Sequence, residues 1–132
     1  MSLYNCTTRQ IKITADPVFL EDESQPDDNY YVWAYTIVIE NTGEEVVQLL
    51  NRHWMITDAI GRVQEVRGPG VVGEQPILHP GDSFEYTSGT PLPTATGIMV
   101  GSYEMSTQAG EKFDVKVPAF SLDCPYAVHN VH

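Results

Sequence analysis

The chain has 132 residues, of which 18 are acidic and 7 are basic, and its formal net charge is -11. A chain of this length is expected to fold as one domain around a single hydrophobic core. Because so negative a surface repels phosphate backbones and anionic lipid headgroups, we expect neither a nucleic acid nor a membrane surface as a partner.

The N-terminal residues and the cysteines indicate where the protein works. Residues 1–10 are polar and lack the apolar stretch of a signal peptide, and no apolar run approaches the roughly 18 residues that span a bilayer. Cys6 and Cys124 lie near opposite ends, and the chain has no metal-type C-x-x-C pair. This pattern favours two reduced thiols, with a bridge between the ends as the alternative. We therefore predict a cytoplasmic protein without membrane insertion.

Alternating apolar and polar residues predict β-strands in the first part of the chain. Residues 13–20, ITADPVFL, favour a strand that bulges at Pro17. The acidic residues 21–29, EDESQPDDN, favour a solvated, mobile loop. The clearest strand is predicted over residues 31–41. Its core face carries Tyr31, Trp33, Tyr35, Ile37 and Ile39.

The rest of the chain predicts further strands separated by turns. Residues 45–66 favour a long strand with a change of apolar parity near Asn51, then a turn at residues 59–61 and a short return strand. A second change of parity, at Pro118, is explained by a bulge in the last strand. The inward-facing residues predicted for these strands are Trp54, Phe84, Tyr86, Met99, Tyr103, Met105, Phe113, Val115, Val117, Phe120 and Leu122.

Seven to eight short strands at this spacing predict an all-β fold. The expected architecture is a fibronectin type III or immunoglobulin-like sandwich of two antiparallel sheets, with an up-and-down barrel as the alternative. No cysteine falls in the second or sixth predicted strand, so the fibronectin-like version fits better than the disulfide-bonded antibody version. We predict a single domain over residues 1–132, with its core at about 10–129 and flexible residues at 1–9 and 130–132.

The segment 66–76, VRGPGVVGEQP, has the glycine-x-glycine-x-x-glycine spacing of dinucleotide-binding loops. In those loops the glycines open a helix whose N-terminal amides hold a pyrophosphate. Here Pro76 and Pro80 leave no room for that helix, and Pro69 removes one backbone donor. The spacing therefore predicts bends in a sheet-built scaffold.

Two binding hypotheses for the same loop stay open. In the first, the amides around Gly68, Gly70 and Gly73 form a nest that holds a phosphate or carboxylate, with Arg67 and Arg52 as candidate sources of positive charge. Alternatively, the loop could meet a protein partner.

The sequence predicts no metal site, no cofactor and no catalytic residue. The acidic residues 21–29 lack the ordered spacing of a calcium loop. Ser88 and Ser102 lack the strand-turn-helix elbow of hydrolase nucleophiles. The four histidines are His53, His79, His129 and His132, and apart from the pair in the tail they are too far apart in sequence to predict a shared site.

Three long motifs carry a family resemblance: LLNRHWMI at 49–56, VRGPGVVGEQPILHPGDSFEYTSGTPL at 66–92 and GIMVGSYEM at 97–105. Together they resemble the ApaG domain family over about residues 10–129. The resemblance implies a fibronectin type III-like sandwich. It also carries the family's glycine motif onto the loop described above and its arginine-histidine-tryptophan segment onto residues 52–54.

For function, the resemblance implies an association with cobalt resistance and magnesium efflux, without a settled molecular activity or a catalytic residue to transfer. Similar domains in eukaryotic F-box proteins and polymerase-delta-interacting proteins look like protein-interaction modules. The bacterial gene neighbourhood includes a dinucleoside tetraphosphate hydrolase, so the resemblance also leaves a nucleotide ligand as a hypothesis.

We therefore predict a non-enzymatic binding domain, a protein-interaction module linked indirectly to divalent cation homeostasis. The apolar outer face of the strand at 31–41, with Val32, Ala34 and Val38, is a candidate contact surface for a partner or for a homodimer. The alternative is a small-ligand binder that holds pyrophosphate or a nucleotide at the glycine loop with Arg67. A hydrolase of a phosphate ester or pyrophosphate is the third hypothesis.

Overall fold

The structure, a computed structural model, describes residues 4–125. The predicted tail at 130–132, His129 and His132 lie outside these residues. Within the described range the chain forms nine strands, against the seven to eight predicted, and one turn of 3₁₀ helix at Pro26–Asp28 in the acidic segment. The strands are β1 Tyr4–Thr8, β2 Ile11–Phe19, β3 Tyr31–Asn41, β4 Val47–Asp58, β5 Val63–Pro69, β6 Ile77–Leu78, β7 Ser83–Leu92, β8 Thr96–Thr107 and β9 Lys112–Asp123.

The strands form two separate antiparallel sheets. One sheet has the order β1-β2-β3-β7, and the other has the order β5-β4-β8-β9, with the short β6 pairing with β4 beside β5. This confirms the predicted all-β sandwich of two antiparallel sheets, and the barrel alternative is wrong because no ladder of hydrogen bonds joins the two sheets among the described residues.

Strand β1 occupies a segment that the sequence predicts to be flexible. Residues 4–8 pair with β2 in continuous register. The Cys6 thiol donates to the Lys116 carbonyl of β9 at 3.0 Å, and the Lys116 N–H donates to the Thr8 hydroxyl at 3.3 Å. These long-range contacts order a short polar strand whose own composition gives little sign of it. Cys6 is half-buried and Cys124 buried, and both are free thiols, as predicted.

Two β-bulges set which side chains face the core. The register of β4 against β8 shifts between Leu49 and Asn51, and that of β8 against β9 shifts beside Pro118. Both confirm the predicted changes of parity. The bulge predicted at Pro17 is wrong, because β2 pairs with β3 without a shift. Among the described residues the pairing of β1 with β2 ends at Ala15, while β2 stays in register with β3 through Pro17.

The core fills the space between the sheets, with Trp54 of β4 at its centre. The Trp54 ring lies 5.5 Å from that of Tyr35 on the opposite sheet, 6.2 Å from that of Tyr103 and 6.1 Å from that of Phe120, centroid to centroid. Edge-to-face aromatic contacts at such distances add about 0.5–1.5 kcal/mol each beyond burial. All the inward-facing residues predicted from the sequence are buried in this core or packed against it.

Trp54 lies flat against the sheet because its neighbour on β8 is Gly101. A Cβ at Gly101 would overlap the Trp54 ring and would lie 2.9 Å from the His53 carbonyl oxygen. The glycine therefore provides the space that the largest core side chain occupies.

We expect Gly101→Ala to lower the free energy of unfolding by about 2 kcal/mol, because overpacking a rigid core forces side chains or backbone to shift. Urea denaturation followed by tryptophan fluorescence measures the change. Gly89→Ala on β7 is the matched control, since its Cβ would meet only the Trp33 carbonyl oxygen at 3.5 Å. Equal stability of the two variants would contradict the packing role of Gly101.

Candidate functional site

The glycine loop connects β5 to β6 at one end of the sandwich. Gly70 (φ +62) follows the last residue of β5 and leads into a tight turn over Val71–Glu74, in which Val72 (φ +45) and Gly73 (φ +80) both have left-handed backbone. Two central residues with positive φ are typical of a type I′ hairpin turn. No helix begins at Gly73, so the predicted bend in a sheet-built scaffold is confirmed.

Most backbone donors of this loop are already used. Gly70 N–H donates to the Leu50 carbonyl at 2.8 Å, and Val71 and Glu74 exchange their N–H···O bonds at 2.8 and 2.9 Å. In the segment from Gly70 to Glu74, the backbone N–H groups of Val72 and Gly73 are the two that donate no hydrogen bond to another backbone group described in the structure. A full amide nest is therefore not formed by the glycines alone.

Gly68 has a different role, which is to seat Arg52. The two residues are cross-strand partners, and a Cβ at Gly68 would lie 3.0 Å from both terminal nitrogens of the guanidinium. Arg52 Nη1 donates to the carbonyls of Pro69 and Gly70 at 2.9 and 3.0 Å. Among residues 4–125 no Asp or Glu forms an ion pair with Arg52.

Arg67 lies on the opposite face of the sheet from Arg52. It is the cross-strand partner of His53 on the outer face, and its Nη2 donates to Glu65 at 3.0 Å. His53 Nε2 lies 2.6 Å from the same carboxylate. The hydrogen bond from His53 and the charge of Arg67 hold the pKa of Glu65 below its usual value. The structure therefore does not bring the two predicted arginines together: Arg67 lies on the outer face of the sheet, and the guanidinium of Arg52 lies on the inner face.

Two clefts flank the loop. The outer cleft, about 520 Å³, is lined by the carboxylates of Glu104 and Asp114 together with Arg67, and Arg52 contributes to its lining as well as to that of the inner cleft. The inner cleft, about 210 Å³, opens between the two sheets beside the guanidinium of Arg52 and has no carboxylate in its lining. The residues that line the inner cleft are Tyr35, Arg52, Trp54, Val71, Val72, Gly73, Tyr86 and Ser88.

Tyr35 and Tyr86 line the inner cleft, and Tyr103 lies next to Tyr86 in the core. The hydroxyls of Tyr86 and Tyr103 are hydrogen-bonded at 2.5 Å. Burial raises the pKa of both groups well above its usual value, although the charge of Arg52 opposes the shift. Burial likewise raises the pKa of Tyr35, against its hydrogen bond with Ser88. These hydroxyls therefore remain protonated at neutral pH and can act as donors.

An exposed apolar patch, which the sequence analysis missed, lies on the outer face of the five-stranded sheet. Met55 is opposite Val100, and Thr57 separates Val63 from Ile98. The four apolar side chains of this outer apolar patch are 41% (Met55), 54% (Val63), 50% (Ile98) and 45% (Val100) exposed. The signal was present in TGIMVGSYEM, where two apolar residues alternate with the buried Met99.

The face predicted for partner contact is different from this patch. Val32, Ala34 and Val38 lie on the outer face of the other sheet, where each is half-buried. They are flanked there by strands β2 and β7, which reduce their exposure.

Comparison with known proteins assigns the chain to a family. The model of the ApaG domain matches residues 21–107. The chain belongs to the ApaG domain family. Protein ApaG of Paramagnetospirillum magneticum is 64% identical over 124 residues, which are 94% of this chain and 95% of that protein. Protein ApaG of Parvibaculum lavamentivorans is 61% identical over 130 residues, 98% of this chain and 100% of that protein.

A solved structure shares the ApaG fold. The crystal structure of the ApaA protein from Bordetella pertussis has a TM-score of 0.86 and 45% sequence identity, and the match covers 94% of this chain and 97% of that one. The matched segment, residues 21–107, contains the complete glycine loop. It also contains the residues of β4 that line the two clefts.

The remaining features of the ApaG domain concern metal binding, a histidine in a turn and membrane spans. Within residues 4–125, no three His, Cys, Asp or Glu side chains lie close enough together to hold a metal ion. His79 lies in a turn, 3.3 Å from the Asp82 carboxylate. The same residues contain no helix with the length and hydropathy of a membrane span.

Val72 is a β-branched residue in left-handed backbone, which costs about 1–2 kcal/mol relative to residues that tolerate it. We expect Val72→Asn to raise the stability of this ApaG domain by about 1 kcal/mol, measured as an increase of a few degrees in Tm. Val63→Asn is the control, because Val63 has the same 54% exposure but lies within a strand; there asparagine should destabilise. A lower Tm for Val72→Asn than for the wild type would show that the backbone conformation of Val72 does not destabilise the fold.

Proposed function

We propose that this ApaG domain is a non-enzymatic protein-interaction module that binds its partner through the outer apolar patch. The observation that supports the proposal is the exposure of Met55, Val63, Ile98 and Val100 side by side on one sheet face. Contiguous exposed apolar surface of this kind typically marks an interaction site, whereas single exposed apolar side chains need no explanation.

The geometry of the patch suits a flat protein surface. Directly opposed residues on antiparallel strands have Cβ atoms about 4.5–5.5 Å apart, so the Met55 and Val100 side chains touch a partner as one unit. Burying a half-exposed aliphatic side chain contributes on the order of 1 kcal/mol. Four such side chains therefore support a modest, reversible complex once the entropy of association is subtracted.

The net charge of the chain favours a basic partner. Near the patch, Glu65 is the cross-strand neighbour of Met55 but is paired with Arg67. Glu104 and Asp114 lie further along the same face, where Lys112 and Lys116 flank Asp114 on β9. The whole chain carries a net charge of -11. We infer a partner that presents apolar residues flanked by Lys or Arg, because complementary charge speeds encounter and disfavours acidic surfaces.

The link to cobalt resistance and magnesium efflux, which the family resemblance implies, is part of this proposal. A binding module affects divalent cations indirectly, by altering the activity of the protein that it contacts. This explains how a domain in which no metal cluster is found among residues 4–125 could still be connected with cation homeostasis.

We expect Val100→Lys to weaken partner binding at least tenfold, because a charge at the centre of an apolar interface has to be desolvated. The measurement is crosslinked affinity capture from the native cell, followed by calorimetry with the purified partner. Val18→Lys is the matched control, since Val18 is 55% exposed on the other sheet. Both variants should fold with nearly unchanged stability.

The outcomes separate the alternatives. A partner lost with Val100→Lys and kept with Val18→Lys supports the proposal, and one unaffected by either substitution contradicts it. Sedimentation of the purified wild type tests a homodimer: self-association that Val100→Lys abolishes identifies a second copy of the chain as the occupant of the patch.

A second candidate function is the binding of a phosphate-containing small molecule, such as pyrophosphate or a nucleotide, at the glycine loop. The observation that favours it is the pair of unused donors at Val72 and Gly73 beside a cleft. Calorimetry with pyrophosphate, ATP and a dinucleoside tetraphosphate tests it. Saturable heat is expected, and its absence at millimolar ligand would remove this candidate.

A further inference from the structure

Arg52 is a cation placed between two sheets without a counter-charge. Its guanidinium is half-buried and donates through Nη1 to two backbone carbonyls. Carbonyl oxygens satisfy hydrogen bonds but do not neutralise the charge, and an unpaired, partly desolvated cation is destabilising. The guanidinium also has Nη2 and Nε, which can form the paired hydrogen bonds that suit a carboxylate or a phosphate.

The lining of the inner cleft favours an anion in spite of the charge of the whole chain. No acidic side chain lines the inner cleft, whereas Glu104 and Asp114 line the outer cleft on the other side of the sheet. Among the side chains that line the inner cleft, Arg52 carries the charge that a ligand would meet.

Neutral donors surround the same position. Ser88, Val72 and Gly73 line the cleft; the N–H groups of Val72 and Gly73 have no acceptor in the described part of the chain, and the Ser88 side chain is hydrogen-bonded with Tyr35. Val72 also has strained left-handed backbone, and strain of this kind is concentrated at functional sites. The cation, the free donors and the strained residue meet in one cleft.

We propose that the inner cleft binds the oxyanion group of a small molecule, a phosphate or a carboxylate, with Arg52 as its charge partner and Ser88, Val72 and Gly73 as donors. The inference rests on the second candidate function and relocates it from Arg67 on the outer face to Arg52 between the sheets. The aromatic walls of the cleft, from Tyr35, Trp54 and Tyr86, suit an apolar or planar part of the ligand next to the anion.

The experiment uses the full chain at low salt with three probes, inorganic phosphate, pyrophosphate and acetate, followed by calorimetry and by tryptophan fluorescence. Trp54 lines the cleft, so binding should change its emission. We expect Arg52→Gln to weaken binding of the best probe at least tenfold. Arg67→Gln removes the same charge from the outer face and should leave the affinity within twofold. The comparison of the three probes distinguishes phosphate from carboxylate ligands.

Arg52→Gln also removes two hydrogen bonds to the loop, so its fold is checked by urea denaturation and circular dichroism. Ser88→Ala is the second variant, because it leaves the contacts between Arg52 and the loop intact and should still weaken binding several-fold; Tyr35→Phe, which removes the hydroxyl bonded to Ser88, controls for the loss of that hydrogen bond. Saturable binding that depends on Arg67 and not on Arg52 or Ser88 would overturn this inference while keeping the second candidate function. No binding of any probe at millimolar concentration would overturn both.

Discussion

The packing of Trp54 on the backbone at Gly101 is the contact on which the rest of the structure depends. The indole contacts the ring of Tyr35 on the opposite sheet and that of Phe120 on the last strand, so its packing links the two sheets. Because interiors are close-packed, the ring can take this position only where its cross-strand neighbour has no side chain. The inner cleft lies beside this ring, where the packed core ends.

The bulge at Leu50 decides which side chains of β4 face the inner cleft. Before it, Val47 and Leu49 of β4 are buried, and after it the buried residues are Trp54 and Ile56. A shift of one residue moves every following side chain to the other face. Without the bulge, His53 would face the core and the guanidinium of Arg52 would lie in solvent on the outer face. The local irregularity therefore places a cation between the sheets.

After the bulge, strand β4 contributes alternately to the two candidate surfaces. Arg52 and Trp54 face the inner cleft, while His53 faces the outer cleft and Met55 the outer apolar patch. The two faces differ in chemistry: the inner one combines a lone cation with neutral donors, and the outer one combines aliphatic side chains with carboxylates. This difference is the physical reason for assigning a small anion to one and a basic protein surface to the other.

The residue pattern predicted most of the strands, their inward faces and the bulges near Asn51 and at Pro118, because alternation with a period of two records which side of a sheet is buried and a change of parity records a bulge; the bulge expected at Pro17 was wrong. It also showed that the prolines after Gly73 exclude a helix. It could not show that β1 is ordered, since that strand depends on contacts with β9 more than 100 residues away. The tertiary structure alone decided that Arg67 is held by Glu65 outside the sandwich, that Arg52 lies inside, and that Met55, Val63, Ile98 and Val100 meet on one face. The register of the strands and the packing of the two sheets decide which side chains become neighbours across strands. The local pattern of residues predicts neither of them.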